Sequence, residues 1–103
     1  MFISVHATND VTFDDEQNFR AFKVVVRIPE ASLDEARVAL AGLATLPDRD
    51  TAWVSVDALR QWRSVKDDAE WQKSFDAMIE NAKPHGWVDE ANNAIKAHVE
   101  WAA

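Results

Sequence analysis

The sequence predicts an α+β fold in which a small sheet, a β-hairpin plus a short third strand, packs against helices in the order β-β-α-β-α-α-α. Three observations predict it: alternating apolar residues near the start, helical spacing of apolar residues in the second half, and an uneven aromatic distribution. All five tryptophans lie in the second half, and four of the five phenylalanines lie in the first. We therefore expect residues 1–103 to form a single α+β domain in which two halves pack together.

Two strands are predicted in the first third of the chain. Apolar and polar side chains alternate over residues 2–8, and again over residues 19–28, which is the two-residue period of a strand. The intervening residues 9–18 are acidic and polar, so we interpret them as a loop that joins an antiparallel pair. Pro29 ends the second strand because it has no N–H to donate to a neighbouring strand.

A helix and a short strand are predicted next. Ser32 and Glu35 have the spacing of a capping box, which predicts a helix that starts there and continues to about residue 45. Pro47 opens a polar turn. Residues 51–56 then form a short run with apolar and β-branched residues, which favours a third strand.

Three helices are predicted in the second half. Ser55 is a suitable N-cap for a short helix over residues 56–65. A second cap signal, Asp67-Asp68-Ala69-Glu70, precedes the clearest apolar stripe in the chain, which ends at Pro84 and Gly86. A final helix is predicted from Asp89 to Trp101. One of its faces would carry Ala91, Ile95, His98 and Ala102.

Composition and charge exclude several classes of function. The chain has no cysteine, which excludes disulfides, thiolate metal sites and cysteine nucleophiles. It has neither the long apolar stretch of a membrane helix nor the pattern of a signal peptide, so we expect a cytoplasmic protein. The net charge of −7 disfavours direct nucleic-acid binding and favours a basic protein partner.

No residue pattern in the chain predicts catalysis. The nucleophile elbow, the phosphate-binding loop, the dinucleotide-binding turn and the zinc-protease motif are all absent, and we assign no catalytic residue, metal ligand or cofactor. His98 would have only Ala94 and Ile95 one helical turn before it, and thus no second metal ligand beside it. His6, on the first strand, and His85, in a helix-ending turn, remain as candidate polar groups for binding.

The tryptophans are the main candidates for recognition. Trp71 is in phase with the apolar stripe of its helix and is expected in the core, as is Trp53 beside Val54. Trp62, Trp87 and Trp101 are better candidates for partial exposure, where an indole can anchor a protein interface or stack on a flat ligand.

Three functional hypotheses follow. The first is a non-enzymatic acidic interaction module, for example an inhibitor or immunity-like binder of a basic nucleic-acid-handling protein. Its candidate binding residues are Trp62, Trp87, Trp101, His6 and His85.

The alternative is a small-molecule-binding or catalytic domain with a pocket between the sheet and the C-terminal helices. Trp53, Trp62 or Trp87 would line this pocket, with His6 or His85 as its polar group. A third hypothesis is self-association through a sheet edge or a helix seam.

Overall fold

Seven strands form one mixed sheet, curved into a half-barrel, in the part of the chain that the computed structural model describes, residues 1–29 and 32–102. The strands are β1 (Phe2–Val5), β2 (Val11–Asp14), β3 (Lys23–Val26), β4 (Ala44–Thr45), β5 (Thr51–Ser55), β6 (Val88–Asp89) and β7 (Ala94–Trp101). The helices are α1 (Leu33–Ala39), α2 (Val56–Arg60) and α3 (Ala69–Ala82), and a 3-10 turn (Lys83–His85) follows α3. No helix among these residues is long and apolar enough to cross a membrane.

The strand order is β2-β1-β3-β7-β5-β4, and β6 pairs with β7 outside this path. β1 and β2 form an antiparallel hairpin, while β3 lies parallel to β1 on its other side. β7 runs parallel to β3 and antiparallel to β5 and β6. The longest strand, β7, therefore joins the strands of the first third of the chain to those that follow.

The predicted small sheet followed by a final helix is wrong, because residues 94–101 form β7. Ile95, Ala97 and Val99 are buried whereas Lys96 and His98 are exposed, which is a strand alternation that the helical interpretation overlooked. Neighbouring strands on both edges provide partners for this backbone, and such pairing outweighs a weak local preference for helix.

The start of the predicted last helix is a turn between β6 and β7. Asp89 accepts hydrogen bonds from the backbone and side-chain amides of Asn92, at 3.2 and 2.8 Å. These bonds hold the pKa of Asp89 below its usual value. Asn93 then has φ +49°, so Asp89, where the last helix was expected to start, instead closes a turn.

The first third of the chain also differs from its prediction. The predicted acidic loop contains β2, and the two expected strands, now β1 and β3, are parallel neighbours rather than an antiparallel pair. Ser32 makes no side-chain cap bond to α1. The sequence does not indicate β2, because only Val11 and Phe13 mark its apolar side and four residues show little periodicity.

The middle of the chain agrees with the prediction in part. The first helix ends at Ala39 instead of about residue 45, where β4 lies, and α2 covers only Val56–Arg60 of the predicted 56–65. β5 covers residues 51–55, and Ser55 caps α2 by accepting a hydrogen bond from the Ala58 amide at 3.2 Å. Asp68 caps α3 by accepting one from the Trp71 amide at 3.0 Å. These side chains satisfy backbone N–H groups that have no partner within the helix, so each helix has a defined start.

The core lies between one face of the sheet and the helices. Ile3, Val24 and Val54 are fully buried on that face, and Ala36 of α1, Leu59 of α2 and Phe75 of α3 belong to the same cluster. Phe13 of β2 contacts Trp62 and Trp71 edge to face, at 5.5 and 6.0 Å between ring centroids. Aromatic side chains from the two halves of the chain thus meet in the core.

The other face of the sheet carries an ion pair whose effect can be measured. Lys23 of β3 lies 2.8 Å from Glu100 of β7, and its hydrogen bond and charge hold the pKa of Glu100 below the usual value. A lowered carboxyl pKa stabilises the fold at pH above the unfolded-state pKa, and this contribution is lost as the pH falls through the folded-state pKa.

We expect Lys23→Met to raise the pKa of Glu100 toward its ordinary value, because the replacement keeps the stem and removes the charge. A ¹³C NMR titration of the glutamate carboxyl groups would measure the change. Glu70, which lies on α3 away from this pair, serves as the internal reference. An unchanged titration of Glu100 would show that the pair does not form in solution.

Candidate functional site

A cavity of about 840 Å³ lies between β7 and α3 and opens to solvent beside the turn that follows α3. The β7 residues 95–98 line one wall, and residues of α3 from Ser74 to Ala82 line a second. The segment before β3, the segment before β6, and Asp50 and Thr51 at the start of β5 complete the lining.

The α3 wall follows from helical geometry. Ser74, Met78 and Asn81 line the cavity at spacings of four and three residues, so they share one stripe on the helix. This stripe lies beside the one that carries Trp71 and Phe75 into the core. α3 therefore contributes one side to the core and its flank to the cavity.

The cavity lies beside a break in the strand pairing along one edge of β7. β3 and β6 share one edge of β7, where β6 pairs with residues 94 and 95 and β3 pairs with residues 98–101. Between them, the Lys96 amide donates a hydrogen bond of 2.7 Å to the Trp87 carbonyl. Phe22 and Trp87 directly precede β3 and β6, so both aromatic residues reach the middle of β7 from opposite directions.

The turn after α3 positions a stacked aromatic pair. Gly86 has φ +74°, a left-handed conformation that glycine adopts without strain and that ends the helix. The rings of His85 and Trp87 on either side of it stack, with centroids 4.3 Å apart and planes inclined by 18°. Trp87 is 47% exposed, so part of its indole surface is free to contact a ligand.

Two ion pairs connect this turn to α3 and to the segment after β6. Lys83 lies 2.9 Å from Glu80 of α3 and 3.5 Å from Glu90, which follows β6. The hydrogen bond to Glu80 is the main cause of a raised pKa for Lys83. Because the lysine joins the end of α3 to the segment after β6, it helps to hold the His85 and Trp87 rings in place.

The polar groups of the lining are left without protein partners. In residues 1–29 and 32–102, the side chains of Arg20, Asn81, Lys96 and His98 take part in no protein hydrogen bond or ion pair of the structure. The apolar part of the lining includes Ile95 and Ala97, which are 3% and 2% exposed. Lys96 and His98 alternate with Ile95 and Ala97 along β7, so their side chains lie on the sheet face opposite the one that α3 covers.

Only two of the predicted binding residues line this cavity, His85 and Trp87. Trp62 is half-buried against Phe13, and the indole N–H of the half-buried Trp101 donates to the Arg49 carbonyl at 2.8 Å.

His6 and Trp53 also lie elsewhere. The Nε2 atom of His6 lies 2.9 Å from the Thr12 hydroxyl, which donates to Asp14 at 2.9 Å. Trp53 is half-buried. It alternates with the buried Ala52 and Val54, so it lies on the sheet face opposite the core, contrary to the expectation that it is buried.

Sequence reasoning missed Phe19, Arg20, Phe22 and Lys96 as cavity residues. The alternation over residues 94–101 was the available signal for Lys96, since it places a strand rather than a helix there. Phe22 and Arg20 had no such signal, because their place depends on pairing between β3 and the distant β7. Among the described residues, no cluster of three or more potential metal ligands occurs.

No protein-family model, curated protein or solved structure matches this chain.

Proposed function

We propose that this protein binds a small molecule with a flat apolar body in the cavity between β7 and α3. The observation that carries the proposal is the cavity itself, about 840 Å³, within the range of roughly 300 to 1,000 Å³ that small-molecule sites occupy. Since the chain contains no cysteine, the reducing cytoplasm is the compartment that we propose for it.

The lining explains the preference for a flat ligand. The stacked pair of His85 and Trp87 borders the cavity, and Phe19 and Phe22 belong to the same lining. Aromatic faces bind planar rings through offset stacking and edge contacts, and apolar area is removed from water at the same time. Phe19 and Phe22 are half-buried and Trp87 is exposed, so each ring has surface that a planar ligand can contact.

A protein-binding function is the second candidate, favoured by the net charge of −7 and the exposure of Trp87. Its other two tryptophan anchors, Trp62 and Trp101, are half-buried, which leaves less indole surface for a partner. A basic protein captured by the wild type but not by Trp87→Ala, with affinity that falls steeply with salt, would favour this candidate.

The small-molecule function can be tested by ¹⁹F NMR of protein labelled with 5-fluorotryptophan. The five tryptophans give five resonances, each assigned from a single Trp→Phe variant. We expect titration with 2-acetylnaphthalene, quinoline or coumarin to shift the Trp87 resonance, because this indole lines the cavity. The Trp62 resonance is the internal control, since Trp62 packs against Phe13 instead. A Trp87 resonance that none of these millimolar probes moves would refute the proposal.

A further inference from the structure

The side of α3 that borders the cavity carries no charge. Ser74 and Asn81 are the polar residues that this helix contributes to the lining, and both are uncharged. The helix also has four charged residues, and none of them belongs to the lining. These four are Glu70, Lys73, Asp76 and Glu80. α3 therefore presents hydrogen-bonding groups to the cavity and directs its charges elsewhere.

The polar groups on this side of α3 lie along one stripe that leads to Trp87. At about 100° per residue, Ser74, Asn81 and His85 fall within about 40° of one another around the helix axis. Lys83 keeps helical dihedral angles, φ −55° and ψ −48°, so the turn as far as His85 continues the helix. Residues four apart on a helix have Cβ atoms about 5 to 6 Å apart, and His85 in turn stacks on Trp87. Asn81, His85 and Trp87 are thus successive neighbours at the C-terminal end of α3.

The charged groups near the cavity do not favour an anionic ligand. Arg20 and Asp50 come from two different loops and together add no net charge to the lining. The side chain of Lys96 lies on the opposite face of the sheet. Asn81 belongs to the last turn of α3, where the final carbonyl groups carry a partial negative charge that disfavours anions. An uncharged ligand with a hydrogen-bond donor suits this end of the cavity.

The carboxamide of Asn81 is suited to one hydrogen-bonding pattern. It is the single carboxamide among the described residues of the lining; its oxygen accepts hydrogen bonds and its NH₂ group donates them. A ring lactam has the complementary pair, an N–H beside a C=O. The two groups can form two parallel hydrogen bonds in one plane, as asparagine does with the edge of adenine. A heterocycle with this edge also has a flat body that the exposed Trp87 ring can stack on.

From this arrangement we propose that the ligand is an uncharged planar heterocycle with a ring lactam, whose N–H and C=O pair with Asn81 and whose ring contacts Trp87. This inference rests on the proposed small-molecule function and adds the hydrogen-bonding pattern of the ligand to it. The lactam N–H also brings a partial positive charge to the carbonyl end of α3.

Three bicyclic probes separate the hydrogen-bonding pattern from ring binding and from charge. 2-Quinolinone has the adjacent N–H and C=O, coumarin has the same shape with a ring oxygen in place of the N–H, and 2-naphthoate is an anion. Each is titrated into the full chain and followed by the ¹⁹F resonance of Trp87. We expect 2-quinolinone to bind about three- to tenfold more tightly than coumarin, because coumarin exchanges one hydrogen bond for a contact between two acceptor oxygens. We expect 2-naphthoate to bind most weakly.

The Asn81→Leu variant tests the residue that the inference names. Asn81 is exposed, so the replacement removes the carboxamide with little effect on the core. We expect the preference for 2-quinolinone over coumarin to fall to less than about twofold. Gln61→Leu is the matched control, because Gln61 is also an exposed carboxamide at the end of a helix but lies outside the lining. This variant should keep the full preference.

The side-chain NH₂ resonances of Asn81 give a second readout, measured on the wild-type protein. They are assigned by their loss from the ¹H–¹⁵N spectrum of Asn81→Leu. At saturation, 2-quinolinone should shift them more than the NH₂ resonances of Asn92, which donates to Asp89 outside the lining. Equal small shifts at both side chains would contradict pairing of the lactam with Asn81.

The outcomes distinguish this inference from the proposed function. Equal affinities for 2-quinolinone and coumarin, tighter binding of 2-naphthoate, or a preference that persists in Asn81→Leu would overturn the lactam inference and leave the small-molecule function standing. If no probe moves the Trp87 resonance, both fail. Equal losses of preference in Asn81→Leu and Gln61→Leu would show that the effect does not come from the cavity, which also overturns the inference.

Discussion

Replacement of Trp71 by alanine is expected to lower the free energy of unfolding by about 4 to 5 kcal/mol, a large part of the roughly 5 to 15 kcal/mol typical of a domain. Trp71 is 1% exposed and stacks on Phe75 with 4.8 Å between ring centroids. It also contacts Phe13 and Phe19. The substitution would thus leave a cavity where side chains from both halves of the chain meet.

The indole N–H of Trp71 adds a polar contribution. It donates a 2.7 Å hydrogen bond to the Glu16 carbonyl, in the segment that leads from β2 toward β3. Trp71→Phe keeps a ring for stacking but leaves this carbonyl without its donor, so we expect a smaller loss of about 1 to 2 kcal/mol.

Urea denaturation followed by far-UV circular dichroism would measure both variants. Trp53→Ala is the matched control, since it makes the same truncation at a half-buried tryptophan outside the core cluster. We expect it to cost less than half as much as Trp71→Ala. Similar losses at the two positions would contradict the central role assigned to Trp71.

The second large effect is expected from Ala97→Leu, which should weaken binding of 2-acetylnaphthalene by about 10- to 100-fold, the equivalent of the roughly 1 to 3 kcal/mol typical of overpacking. Ala97 is 2% exposed and lines the cavity from β7. Because the Ala97 side chain is almost fully buried, the added atoms displace neighbouring groups as well as cavity volume, so we also expect a destabilisation of about 1 to 3 kcal/mol.

Ala52→Leu is the control for this variant. Ala52 is the partner of Ala97 on β5 and is completely buried, but it does not line the cavity. The added volume has no free space there, so we expect a destabilisation of about 1 to 3 kcal/mol with an unchanged affinity of the folded protein. Unimpaired binding by Ala97→Leu would place the ligand outside this cavity.

The local signals of the sequence were sufficient for part of the fold. α3 has a cap at Asp68 and an apolar stripe that includes Trp71 and Phe75, so both its start and its buried side were predictable. Capping and helical periodicity depend on residues a few positions apart, and they act before any long-range contact forms.

The sheet required information that no local pattern contains. β3 and β7 are parallel neighbours although they lie far apart in the sequence, and a parallel pair has no tight turn to reveal it. The same limit applies to the cavity: His85 and Trp87 could be selected as recognition residues, but Phe22 joins them only because β3 and β6 approach the same edge of β7.

The central position of β7 has a consequence for the rate and order of folding. Val24 pairs with Val99, and Ala52 pairs with Ala97, so the central contacts of the sheet close very long loops. Proteins dominated by such distant contacts fold slowly, in about milliseconds to seconds.

During synthesis, β3 is made long before β7, and its edge has no partner until residues 98–101 have emerged. An unpaired apolar edge of this kind, here Lys23–Val26 with three consecutive valines, is prone to association with other chains. The nascent protein is therefore most vulnerable to aggregation in the interval before its central strand arrives.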